Sequence, residues 1–359
     1  MTDVLKREEQ AVFTLRALYR RYGYTPYKMS RFEEYDLYVN NKDFLVSDQI
    51  ITFSGDRGKL MALKPDVTLS IVKNAPQEPG VVQKVYYNEN VYRDYREIMQ
   101  TGLECVGDLS GYEIAEVVLL AAKSLELLQQ PFVLDLSHMG LVAAVLESCG
   151  MTGQKQKQAM TCLRQKNLHE LKALCGDNTA AWEKLSALSA CRGGGDVLAA
   201  LKAVLTQPKE RQALEELEAL WKLLEESGYG NRARLDFSVG NSMGYYSGVV
   251  FRGYLEGIPS SILSGGQYDK LPHKMGRKSR AIGFAIYLDL LQELQGSRQN
   301  LDVDTLILHD GTVPVQVLSA AAEEAARSGS VLVAGQIPEG RAYRKLVRFA
   351  DGKAVEGCL

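Results

Sequence analysis

Two stretches of the chain carry residue types that suit nucleotide chemistry: "NSMGYYSGVVF" at 241–251 and "AIGFAIYLDLL" at 281–291. Their glycines would let backbone approach a ligand closely, and their tyrosines would offer flat faces with a hydroxyl handle. Neither stretch holds a lysine or an arginine. Phosphoryl and adenylyl transfer rest on positioning and on cations placed around the developing charge, so a site built from these segments lacks the groups that reaction needs. Other candidates are Asp66 and Thr68 in "LKPDVT", Gln100 and Glu104 in "QTGLE", and Tyr268 in "GGQYD". Each has a plainer reading when taken alone. Asp66 suits a helix cap, Glu104 a solvated strand position, and Tyr246 and Tyr268 the core or edge of a sheet; "GGQYD" by itself is only a glycine turn.

Metal and redox chemistry find little support. The six cysteines include no CxxC pair, and Cys149, Cys162 and Cys175, thirteen residues apart, match no compact zinc pattern in a chain with only 4 histidines. They are read as reduced thiols packed in helices, and neither a metal nor a cofactor is expected.

The elements that must position these residues follow from pattern. "KREEQAVFTLRALYRRYGY" places Val12, Leu15, Leu18, Tyr19 and Tyr22 on one stripe and ends at Gly23, an amphipathic helix with a glycine stop. A hairpin over "ITFSGDRGKLMALK" precedes a helix that Asp66 or Thr68 could start. "VVQKVYYNENVYRD" and "MQTGLECVG" have strand composition, with "YREI" expected to make the turn. "GYEIAEVVLLAAKSLELL" is a long helix and "FVLDLSH" a strand. From about 140 to 230 the chain turns to Ala-, Leu-, Lys- and Glu-rich helices without a strand-like window, which reads as a helical insertion. Strand signals resume at "ARLDFSV", "GYYSGVVFRGYL" and "SSILSGGQYD". The final sixty or so residues start afresh as a βαββ module, giving a core over 1–300 and a small unit over 301–359.

At 359 residues, with 46% hydrophobic and 24% charged residues, the chain has ordinary globular composition and length for a large domain plus a small one. The formal net charge of -2, with no long block of like charges, lacks the footprint of a nucleic-acid binder. No apolar run approaches the about 18 residues a membrane span requires, and "MTDVLKREEQ" lacks a signal-peptide core. A cytoplasmic protein is expected.

Taken together and in order, "LKPDVT", "VYRDYREIMQTGLECVG", "GYYSGVVF", "SGGQYD" and "AIGFAI" resemble the catalytic core of histidyl-tRNA synthetase over roughly residues 1–295. The resemblance implies an α+β class II aminoacyl-tRNA synthetase-like fold: a six- or seven-stranded antiparallel sheet flanked by helices, with helical material inserted before "GYYSG". It also implies a homodimer through "RFEEYDLY", although Ser30 stands where that motif has proline. By the same resemblance Asp66, Thr68, Gln100 and Glu104 would hold an ammonium group, and Tyr246 and Tyr268 would line an imidazole pocket. Two acids around one buried cation make physical sense, because an unpaired buried charge is costly.

The family's nucleotide-gripping groups are another matter. Asn241 stands where the family has an arginine, Gly244 replaces an aspartate, Leu290 replaces a second arginine, and Tyr287 fills a glycine's place. The loop after Arg93 is short, and Arg93 itself is either structural or a residual anion contact. The terminal module is shorter than the family's anticodon-binding domain. This pattern is similar to a synthetase paralogue, the regulatory subunit of hetero-oligomeric ATP phosphoribosyltransferase. What that resemblance implies is a non-catalytic chain that takes histidine as effector, in a hetero-octamer with short-form catalytic subunits, and no nucleic-acid or membrane partner. The competing expectations are a truncated ligase that still adenylates histidine and a scaffold that senses uncharged transfer RNA.

Overall fold

The computed structural model describes residues 5–45, 47, 49–76, 78–239, 244–294, 301–350 and 353–357. The chain divides into two compact units, Met1–Leu294 and Gln295–Leu359.

The first unit opens with α1 (Arg7–Arg21), whose Val12, Leu15 and Tyr19 are buried and whose end is turned by Gly23 at φ 81°. The two-residue β1 (Thr25–Pro26) leads to β2 (Phe32–Glu34), α2 (Tyr35–Val39), β3 (Thr52–Ser54) and β4 (Leu60–Leu63); strands β2, β4 and β3 form a small antiparallel sheet. Then come α3 (Thr68–Asn74) and the long hairpin of β5 (Val82–Arg93) and β6 (Arg96–Gly107). Its turn is the pair Asp94–Tyr95, both left-handed at φ 50° and 59°, and Arg93 pairs with Arg96. "YREI" is therefore not the turn: Arg96, Glu97 and Ile98 already belong to β6. Two residues with positive φ match the twist of paired strands, and the absence of Gly or Asn hid that turn type in the sequence.

The helix α4 (Gly111–Leu127) starts at Ser110, which accepts from the Tyr112 amide at 3.1 Å while Glu113 reaches back to the Ser110 amide at 2.8 Å, a reciprocal cap. β7 (Phe132–His138) follows. Six helices come next: α5 (Met139–Ser148), α6 (Gly153–Gln165), α7 (Leu168–Cys175), α8 (Thr179–Ala190), α9 (Asp196–Val204) and α10 (Pro208–Glu226). Between α8 and α9 the two residues Arg192–Gly193 make β8, which sequence patterning had not indicated. β9 (Ala233–Asp236), β10 (Val249–Leu255), β11 (Leu263–Gln267), α11 (Lys270–Lys274) and β12 (Arg280–Tyr287) complete the unit. "ARLDFSV" is strand only through Asp236, after which Phe237–Val239 tighten into a 3-10 turn, and in "GYYSGVVFRGYL" the strand begins only at Val249.

The main sheet has nine strands in the order β1-β5-β6-β12-β11-β10-β7-β9-β8. That is more than the six or seven the resemblance implied; the surplus is the two-residue β1 and β8. The sheet is also mixed, since β1 runs parallel to β5 and β9 parallel to β7. Side chains alternate across it. On β6, Leu103 and Cys105 enter the core under α1 and α4, while Gln100, Gly102 and Glu104 face the other way. Close helix packing depends on Gly253 of β10, where a Cβ would stand 2.6 Å from a Leu125 methyl on α4. The buried side chains of α5 to α10 are continuous with this core.

The second unit is β13 (Val303–His309), α12 (Val315–Ala326), β14 (Val331–Ala334), β15 (Tyr343–Ala350) and β16 (Lys353–Gly357), with sheet order β14-β13-β15-β16. It thus has a fourth strand beyond the βαββ pattern, a five-residue antiparallel partner of β15 too short and polar to stand out in the sequence. Among the described residues no helix is long and apolar enough to cross a membrane.

Candidate functional site

The face of β6 that turns away from α1 and α4 floors a cavity of about 550 Å³. Gln100 and Glu104 lie four residues apart on one strand, so both point into it, and Gly102 between them makes room for the Tyr87 phenol, whose hydroxyl would stand 2.6 Å from a Cβ there. Strand β12 lies alongside, pairing Gly283 with Glu104 and Tyr287 with Gln100. The glycine of "AIGFAI" has a direct steric reason, because a Cβ on Gly283 would stand 1.7 Å from Glu104 Oε2. Gly265 of "GGQYD" is equally confined, with its would-be Cβ 2.4 Å from that of Phe284.

Asp66 and Thr68 reach the cavity from the start of α3. Asp66 Oδ1 accepts from the Leu69 amide at 2.8 Å, so it does cap the helix, and its half-buried carboxylate also lines the cavity. Burial pushes its pKa up, against the nearby Arg93 cation and the backbone donors of Leu69 and Thr68. Thr68 Oγ1 donates to Glu104 Oε1 at 2.7 Å, and the Tyr268 hydroxyl donates to Glu104 Oε2. Glu104 is only 2% exposed, which excludes the solvated-strand reading. Burial lifts its carboxyl to about 8, with both hydroxyl donors pulling the other way and the Asp66 charge adding to the rise. Neither Asp66 nor Glu104 forms an ion pair among the described residues, so the buried Glu104 and the half-buried Asp66 border the cavity without a salt-bridge partner, although the Arg93 cation is near enough to act on Asp66.

The aromatic wall comes from the segment between β9 and β10 and from Tyr268. The Tyr245 ring lies 4.6 Å from that of Tyr246, 5.7 Å from that of Tyr268 and 5.6 Å from that of Phe44. Burial raises the pKa of the Tyr246 phenol, and a hydrogen bond with Ser264 opposes that rise. Gln100 Nε2 is buried with no hydrogen-bond partner among the described residues. Arg93 Nε donates to the Pro65 carbonyl at 2.7 Å, stapling the end of β5 to "KPD" while the side chain still borders the cavity.

All seven side chains singled out from the sequence (Asp66, Thr68, Arg93, Gln100, Glu104, Tyr246 and Tyr268) line this one cavity. Among the further liners, Tyr87, Tyr245, Arg252 and Tyr287 carry polar or charged groups that had not been picked out as ligand contacts. Tyr87 and Arg252 were readable only from strand alternation across "KVYYNEN" and "VVFRGYL". Tyr245 would point away from Tyr246 in a strand, but residues 244–248 form a turn and both rings enter. Leu290 packs against the main core, and Asn241 lies outside the described residues. The five described cysteines are free, and among the described residues no three His, Cys, Asp or Glu side chains gather as a metal site.

The family model described as histidyl-tRNA synthetase matches residues 2–291. A protein of Oceanobacillus iheyensis named ATP phosphoribosyltransferase regulatory subunit is 27% identical over 81% of this chain and 73% of its own length. A solved structure titled as an ATP phosphoribosyltransferase regulatory subunit/histidyl-tRNA synthetase from Bacillus halodurans superposes with a TM-score of 0.75 at 24% identity, covering 97% of this chain and 96% of that one. An ATP phosphoribosyl transferase (HisG:HisZ) complex from Thermotoga maritima contains a chain of the same fold, with a TM-score of 0.62 at 19% identity over 80% of this chain and 98% of that one. The chain belongs to the histidyl-tRNA synthetase family, and the curated relatives it resembles include proteins named ATP phosphoribosyltransferase regulatory subunit.

Proposed function

We propose that this chain is a non-catalytic regulatory subunit of ATP phosphoribosyltransferase and that its cavity binds free histidine as the feedback signal of histidine biosynthesis. The observation that carries the reading is a pair of acids, the buried Glu104 and the half-buried Asp66, set beside an aromatic wall with no cation in salt-bridge contact among the described residues. A ligand ammonium meeting Asp66, Thr68, Gln100 and Glu104 would supply that charge. An imidazole enclosed by Tyr246, Tyr268 and Tyr245 would meet phenol hydroxyls and ring faces. The names of the matched relatives support the regulatory role.

Nucleotide activation finds little in the same cavity. Leu290 is turned into the core, Tyr287 takes up space at the cavity edge, and the turn after β5 is two residues long. Losing one charge-stabilising donor from such a site typically costs about 100- to 1000-fold in rate. Histidine would act by binding one of two quaternary arrangements more tightly than the other, so the partner's ligands must alter histidine affinity by the same factor. The assembly we propose pairs a homodimer of this chain with short-form catalytic subunits in a cytoplasmic hetero-octamer.

Co-expression with a short-form catalytic subunit tests the role. Co-purification with phosphoribosyltransferase activity that histidine suppresses is the expected outcome. Robust histidine-dependent ATP–pyrophosphate exchange by the chain alone would contradict it.

A further inference from the structure

The acids occupy one side of the cavity floor, and the far side ends in an arginine. Across the sheet, Gly102 pairs with Ala285, Ala285 with Ser264, and Ser264 with Arg252. Paired residues share a face, so the small residues Ala285 and Ser264 line the cavity between Tyr87, whose hydroxyl covers Gly102, and Arg252. Arg252 is half-buried and lines the cavity. Its neighbour on the other side, Asp135, would be the natural partner, but Arg234 already holds both oxygens of that carboxylate at 2.7 Å. The Arg252 guanidinium forms no hydrogen bond or ion pair among the described residues, though its charge is close enough to act on the Tyr246 phenol. A second donor in the cavity is also unpartnered among the described residues, the buried Nε2 of Gln100.

Two unmet donors and two acids without an ion-pair partner among the described residues, all in one cavity, call for a ligand that carries both signs. We propose that Arg252 is the carboxylate clamp of this cavity, a specificity-determining residue that restricts the site to amino acids with a free α-carboxylate. This rests on the reading of the cavity as a histidine site and adds to it the group that separates the amino acid from its decarboxylated or amidated forms. An arginine suits the task because its planar fork matches a carboxylate with two parallel hydrogen bonds.

Calorimetry on the full chain with L-histidine, histamine and L-histidinamide decides the matter, and the comparison of ligands needs no variant. The wild-type protein is expected to bind L-histidine roughly 10- to 100-fold more tightly than histamine or the amide. Arg252→Met is expected to bring L-histidine down to the level of histamine and to leave histamine unchanged, which also shows that the variant is folded. Arg252→Lys is expected to recover part of the loss. Wild-type affinities that are equal for the three ligands, or an Arg252→Met variant that binds L-histidine like the wild type, overturn the clamp. Loss of histidine and histamine together in Arg252→Met, with Arg252→Lys equally inert, assigns Arg252 to structure and overturns it as well. If the wild type gives no heat with any of the three, the histidine reading itself falls and the clamp with it; binding of L-histidine that ignores Arg252 defeats the clamp alone.

Discussion

Glu104 is the residue on which the site's electrostatics turn. Its carboxyl is buried, bonded by Thr68 and Tyr268, and lifted to about 8, so in the empty protein at neutral pH it is largely protonated. The folded state holds this proton more tightly than the unfolded chain. Stability from this group is therefore full below the ordinary carboxylate range and declines as pH rises towards 8. The melting temperature of the ligand-free protein is expected to fall between pH 6 and 8 more steeply than that of Glu104→Gln, as a thermal scan at several pH values would show. The same substitution keeps the shape and removes the charge. It is expected to weaken histidine binding by at least about tenfold, the usual cost of losing a charge-assisted hydrogen bond; unchanged affinity by calorimetry would remove Glu104 from the site.

At the scale of elements, the cavity exists because glycines let strands and rings approach. Gly283→Ala would force a methyl onto Glu104 at the centre of the sheet. It is expected to lower stability by about 1–3 kcal/mol, the range for overpacked cores, and to abolish histidine binding, as urea unfolding and calorimetry would report. The Asp94–Tyr95 turn offers a contrasting case: both residues sit at positive φ, where Asn-Gly is favoured. Replacing the pair by Asn-Gly is expected to stabilise the protein by about 1 kcal/mol without changing affinity. That hairpin also shows where sequence reading stops. The strands were legible from the β-branched and aromatic run on one side and "MQTGLECVG" on the other, but the turn was not, because tight turns announce themselves through Gly and Asn and this one uses neither. Tyr245 was missed for a related reason: two adjacent tyrosines imply opposite faces only if the backbone is extended. The acids could be found because they sit in motifs with fixed order. Arg252 could not, since it is a cavity residue only once β10, β11 and β12 are in register.

At the scale of the whole molecule, every described residue around the cavity lies between positions 43 and 287, within the first compact unit. The second unit has its own small core of Ile307, Val313 and Phe349. A chain ending at Leu294 is therefore expected to bind histidine with the affinity of the full protein; a loss of binding would give the terminal unit a part in the site. The proposed feedback role requires histidine binding, and titration calorimetry of the full-length protein with L-histidine measures it directly. One saturable site per chain, with no heat from amino acids lacking an imidazole, is the predicted result. Heat that fails to appear with histidine, or that appears equally with unrelated amino acids, would contradict the account.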